Sequence, residues 1–118
     1  MNIKRLMAGI ALLSALLSTG TFASERAAIG WQQIQQGAMV IDVRTPQEFV
    51  DGHLDNAINF PLSTLDQHVS DLDKATPIVL YCRSGNRSGQ AYQYLTSLGF
   101  TQLHNAGGLQ EIQVEIAK

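Results

Sequence analysis

Two short apolar runs rich in β-branched residues, at residues 38–43 and 78–81, constrain this chain more than any other feature. A strand with one face in water alternates apolar and polar residues. A nearly continuous run reads instead as a strand covered on both faces, as in a parallel sheet. The segments between the runs carry helix signals. Thr45, Pro46 and Glu48 supply an N-cap, a proline at the first helical position and a glutamate three residues after the cap. That capping box predicts a short helix ending near Gly52. Residues 57–60 read as a brief strand closed by Pro61. Ser63 or Thr64 then caps a second helix through about Leu72, with Leu65, Val69 and Leu72 at helical spacing.

Residues 88–98 form an amphipathic pattern with Ala91, Leu95 and Leu98 on one face and Gly99 as the stop. Residues 101–104 predict a last short strand, Gly107-Gly108 a turn, and 109–116 a terminal helix. Residues 25–36 read as a partly helical lead-in with Ile29, Trp31 and Ile34 as its apolar contacts. Strands alternating with helices predict an α/β domain with a mostly parallel sheet.

The first 23 residues stand outside that domain. A basic head with Lys4 and Arg5 precedes an apolar run from Leu6 to Leu17, and small residues Thr21 and Ala23 precede a cut after Ala23. That order is a secretory leader, and the run is shorter than the ~20 residues a membrane span needs. The expected division is therefore a signal peptide at 1–23 and one domain at 24–118, with no membrane attachment after cleavage. Losing Lys4 and Arg5 takes the formal charge from −2 to −4. A mildly acidic domain argues against a nucleic-acid surface, which needs clustered Lys and Arg. No Cys/His cluster has zinc spacing, and neither a metal nor another cofactor is expected.

Cys82 is the single cysteine of the chain, so it forms no internal disulfide. It is an inert thiol, an intermolecular bridge or a working thiol, and its neighbours decide which. It ends the second apolar run and opens the polar loop Cys82-Arg83-Ser84-Gly85-Asn86-Arg87, which leads into a helix. A loop entering a helix N-terminus turns unpaired backbone N–H groups inward at the positive end of the helix dipole. Such a nest holds anions and favours a thiolate over a thiol. Arg83 and Arg87 add fixed positive charge, and Gly85 permits the tight curvature.

These residues resemble a known family. Asp42-Val43-Arg44, Glu48-Phe49, Gly52-His53-Leu54, Asn56-Ala57-Ile58-Asn59 and Pro61-Leu62 are similar to the first half of a single-domain rhodanese. Residues 81–88 are similar to its active-site loop, and Leu98-Gly99-Phe100 with residues 105–109 to its closing segment. With the leader, the chain is most similar to the small periplasmic thiosulfate sulfurtransferases of the phage-shock type. The resemblance implies a rhodanese-like three-layer domain, with a five-stranded, mostly parallel sheet flanked by helices. It implies that Cys82 takes the outer sulfur of thiosulfate as a persulfide, releases sulfite and passes the sulfur to cyanide or a thiol. Substrate contacts then fall on Arg83, Ser84, Gly85, Asn86, Arg87 and Ser88, with Asp42 and Arg44 in support. The protein is expected in the periplasm, as a monomer.

Phosphatases and arsenate reductases on this fold carry a loop one residue longer, whereas Arg87 stands five positions after Cys82. Two other functions stay open at this point. Cys82 could carry sulfur between partner proteins with little turnover on free thiosulfate, or act as a redox-sensing thiol.

Overall fold

Four parallel strands form one sheet in the order β2-β1-β3-β4 in the computed structural model, which describes residues 24–118. The leader expected over 1–23 lies outside the described residues. The strands are β1 (Met39–Asp42), β2 (Ile58–Asn59), β3 (Ile78–Cys82) and β4 (Leu103–Gly108). The helices are α1 (Glu25–Gln35), α2 (Pro46–Asp51), α3 (Asn86–Ser97) and α4 (Leu109–Ile116). A 3₁₀ segment, Leu62–Gln67, follows β2.

The two apolar runs become β1 and β3, neighbours at the centre of the sheet. Every residue of β3 is buried, because each face meets its own core. Ile78, Leu80 and Cys82 join Ile41, Val43, Leu65, Ala91 and Leu95 on one side. Val79 and Tyr81 join Ala27, Val40, Ala106 and Ile112 on the other. That two-residue alternation is the strand's own period. Burying a large aliphatic side chain is worth ~1.5–3 kcal/mol, so the central strand anchors both layers. From β1 the chain crosses to one edge of the sheet, and from β3 to the other. The carboxyl ends of β1 and β3 therefore flank the switch point, where open α/β sheets place their ligand crevices.

The family resemblance implied five strands, and the described residues form four. The segment before β1 is committed to helix by Ser24, whose hydroxyl accepts the Ala27 N–H, and α4 begins directly after β4. Among the described residues, neither flank leaves an extended segment over. The second predicted helix is only the 3₁₀ segment, because Thr64 leaves helical geometry at φ −125° and no side chain caps the start. Leu65 and Val69 still reach the core. Helix α3 starts at Asn86, two residues earlier than predicted, and Leu98 at its end is 38% exposed. In α1 the buried contacts are Ala27 and Gly30, while Ile29 faces solvent.

Gly107-Gly108 is not a turn after the last strand but the end of β4. Asn105 pairs with Leu80 and Gly108 with Cys82, so β4 carries one more residue than β3 between these pairs. This bulge bends the strand beside Cys82 and takes Gly107 to φ 95°.

Candidate active site

Strand β3 delivers Cys82, fully buried, to the start of α3. Gly85 is the N-cap residue of that helix, in the left-handed conformation at φ 98°, and offers no side chain to the free amides. The cysteine sulfur takes that place. Gly85 N–H donates to Sγ at 3.0 Å and the Ser88 hydroxyl lies 3.3 Å away. Burial pushes the Cys82 thiol up. The Ser88 hydroxyl and the amides of Ser88, Ser84 and Gly85 outweigh burial and hold it below the ordinary thiol value. A sulfur met by several donors and no acceptor carboxylate is stabilised as an anion.

The arginines divide the work differently from the expectation. Arg87 does not point at the sulfur. Its guanidinium grips Glu48 with two parallel bonds, Nη1 to Oε1 at 2.7 Å and Nη2 to Oε2 at 3.0 Å. Arg26, which no sequence motif marked, makes the matching pair on the other side. Its Nε and Nη2 bind Glu111 at 3.0 and 2.7 Å, and Nη2 also binds the Ser84 carbonyl at 3.0 Å. Its guanidinium lies against Gly85 and Gly107, where a Cβ would come within 2.6 and 2.5 Å of it. Both Arg26 and Arg87 lie close enough to feel the charge of Cys82. Arg83 is exposed and is, among the described residues, the arginine without a carboxylate partner. With Arg44, Glu48, Asp51, Ser84 and Leu109 it lines a cleft of about 750 Å³. That is room for a small ligand.

Glu48 closes the capping box of α2 as predicted, accepting the Thr45 N–H at 3.0 Å while holding Arg87. The Arg87 guanidinium, with the Thr45 N–H, depresses its carboxyl to about 2. A depressed carboxyl stabilises the fold fully above its unfolded value and loses that contribution as pH falls through its folded value. Unfolding free energy is therefore expected to drop between pH 4.5 and about 2. Urea titrations of Glu48→Gln should show a shallower fall over that window.

Asp42 and Arg44, at the end of β1, pair with each other. Arg44 Nε lies 3.0 and 3.1 Å from the two Asp42 oxygens, and Nη2 is 2.7 Å from Oδ2 and 2.6 Å from the Gly52 carbonyl. Arg44 also sits 5.7 Å from the Tyr81 ring centroid, and the Tyr81 hydroxyl accepts the Leu54 N–H at 3.0 Å. Asn59 binds both carbonyls of the turn, Asp42 O at 3.0 Å and Arg44 O at 2.9 Å. Asn105 ties the sulfur loop to β4 through Gly85 O at 3.1 Å and through Ser88 at 2.7 Å.

Of the candidate residues, Cys82, Ser84, Gly85 and Ser88 converge on the sulfur. Arg83 lies at the cleft and Arg87 at its brace. The Asn86 side chain instead accepts from Gln90, one turn along α3, at 2.9 Å. Arg26, Glu111 and Asn105 escaped sequence reasoning as site residues. The one available signal was Glu111, three residues after Gly108 at a helix start, whose carboxylate accepts the Gly108 N–H at 2.9 Å.

Residues 26–115 match the rhodanese-like domain family. The chain is 33% identical over 112 residues to the thiosulfate sulfurtransferase PspE of Escherichia coli, covering 93% of this chain and 95% of that protein. Among solved structures, a rhodanese with anions from E. coli aligns with a TM-score of 0.61 at 37% identity, over 64% of this chain and 92% of that one. A rhodanese-related protein from Thermoplasma volcanium aligns with a TM-score of 0.67 at 33% identity, over 80% and 93%.

Proposed function

The chain belongs to the rhodanese-like family, and from that premise we propose that it is a thiosulfate sulfurtransferase working through a persulfide on Cys82. One observation carries the proposal: Sγ sits where backbone amides and the Ser88 hydroxyl point at it, with no base needed to ionise it. In the first step the thiolate attacks the outer sulfur of thiosulfate. A new S–S bond forms, the bond within thiosulfate breaks, and sulfite leaves with the electron pair. In the second step cyanide or an acceptor thiolate attacks the outer sulfur, and Cys82 leaves as the thiolate. Both resting forms are anions, so one set of amides serves the whole cycle.

Arg83 receives the donor in the cleft, since it is free of a carboxylate partner among the described residues. Arg87 and Arg26 keep the loop in shape and add positive potential. Cys82 has no exposed surface at rest, so entry of the donor requires the loop to open locally. The protein acts as a monomer in the periplasm after loss of residues 1–23. No helix among the described residues is long and apolar enough to cross a membrane.

Mass spectrometry after thiosulfate treatment tests the proposal. Cys82 is expected to gain ~32 Da with stoichiometric sulfite release, and Cys82→Ser to gain nothing. Absence of the adduct removes the proposal. A stable adduct with negligible cyanide-dependent turnover makes the protein a sulfur carrier instead.

A further inference from the structure

Ser88 has one hydroxyl proton and two claims on it. Its Oγ lies 2.7 Å from Asn105 Oδ1 and 3.3 Å from Cys82 Sγ. A hydroxyl donates once, so it serves one of them at a time. Asn105 does not turn its amide to relieve the conflict. Its Oδ1 accepts the Gly107 N–H at 3.0 Å and its Nδ2 donates to Gly85 O at 3.1 Å. Flipping the amide would set donor against donor and acceptor against acceptor. Asn105 therefore always shows Ser88 an oxygen.

We propose that Asn105 is a positioning residue that acts through Ser88, competing for its single hydroxyl proton and so setting the balance between the thiol and thiolate forms of Cys82. In the thiol form Ser88 donates to Asn105, and an Oγ lone pair accepts the S–H. On ionisation the S–H bond breaks, its electron pair stays on sulfur and the proton passes to water. The Ser88 hydroxyl only rotates: it now donates to the sulfur, leaving Asn105 Oδ1 with Gly107 alone. The last stage rests on the persulfide reading above. Once the outer sulfur is attached, negative charge moves onto it and Sγ becomes a weak acceptor. Ser88 returns to Asn105, so the competition disfavours the empty thiolate and favours the loaded form.

Charged groups from each neighbouring element act on the sulfur as well. Arg26 of α1 and Arg87 of α3 lie near enough to feel its charge, with their guanidinium groups turned onto Glu111 and Glu48. Arg83 follows it in sequence, and the Asp42–Arg44 pair of β1 is closed on itself. These groups are present with or without Asn105, so the test isolates Asn105 by a double-mutant cycle.

The thiolate of the full chain is titrated by its ultraviolet absorbance. Asn105→Leu frees the Ser88 proton for sulfur and is expected to lower the midpoint by about one pH unit, ~tenfold in ionisation. In a Ser88→Ala background the same substitution should change nothing. If Asn105 merely braces the loop, Asn105→Leu slackens the amides and raises the midpoint with or without Ser88, and the proposal is overturned. Asn105→Asp covers the case in which the leucine variant fails to fold. It strengthens the rival acceptor, so the midpoint should rise, and rise less once Ser88 is alanine. An equal rise in both backgrounds is plain charge repulsion and also overturns the proposal. No sulfur donor enters these titrations, so a protein that never forms a persulfide would sink the functional reading and leave this result standing.

Discussion

Gly85→Ala is expected to cut thiosulfate turnover by at least ~100-fold while leaving a folded protein, as the loss of a preorganised anion donor typically does. Gly85 sits at φ 98°, where a Cβ costs ~1–2 kcal/mol on backbone grounds alone. Its new methyl group would also lie 2.6–2.9 Å from the Arg26 guanidinium, which is pinned by Glu111 and the Ser84 carbonyl. Moving the Arg26 guanidinium aside breaks its bond to the Ser84 carbonyl and unties the loop, and the backbone strain at Gly85 then shifts the amide that stands 3.0 Å from the sulfur. The thiol should then titrate closer to a free cysteine, ~8.5. Gly99→Ala is the control: its φ is 100° and its Cβ would meet open space. It should lose comparable stability and keep its activity. Turnover of Gly85→Ala within tenfold of the parent protein would contradict this account of the loop.

The largest expected loss of stability follows Asp42→Ala. Asp42 is wholly buried and Arg44 is 6% exposed. Removing the carboxylate strands a buried guanidinium and also leaves the Arg44 N–H, now 2.9 Å from Asp42 Oδ1, without its acceptor. Breaking one side of a buried pair costs ~3–5 kcal/mol. Small domains hold ~5–15 kcal/mol in total, so the variant should be marginal in urea unfolding at room temperature. Asp42→Ala combined with Arg44→Leu should recover most of the loss, because no unpaired charge remains. A loss below ~1 kcal/mol for Asp42→Ala would mean that the pair behaves as an exposed one.

What could be read directly from sequence was local. The apolar runs around Val40 and Val79 announced the central strands, since burial on both faces leaves no polar alternation. Thr45 to Glu48 announced α2, since its capping bonds join residues three apart. Cys82 before a glycine-containing loop announced the anion nest, because the amides that meet the sulfur lie within six residues of it. Partner choice across the fold was not legible. Arg26 and Glu111 stand 85 residues apart, and only the packing of α1 against α4 brings them together. The neighbours of Arg87 in sequence suggest an anion ligand, whereas its carboxylate partner Glu48 lies 39 residues away. The bulge that carries β4 through Gly107 was masked by a glycine pair that looks like a turn. Leu65, Val69 and Leu72 keep helical spacing although the 3₁₀ segment stops at Gln67 and the last two lie in the turns beyond it.

Glu48 and Glu111 each fasten the beginning of their own helix and, with the same carboxylate, an arginine reaching over the sulfur loop. Fraying at the start of α2 or α4 would therefore cost Arg87 or Arg26 its carboxylate partner in the same event. The shape of the sulfur loop is thus tied to two helix starts that lie far from it in sequence.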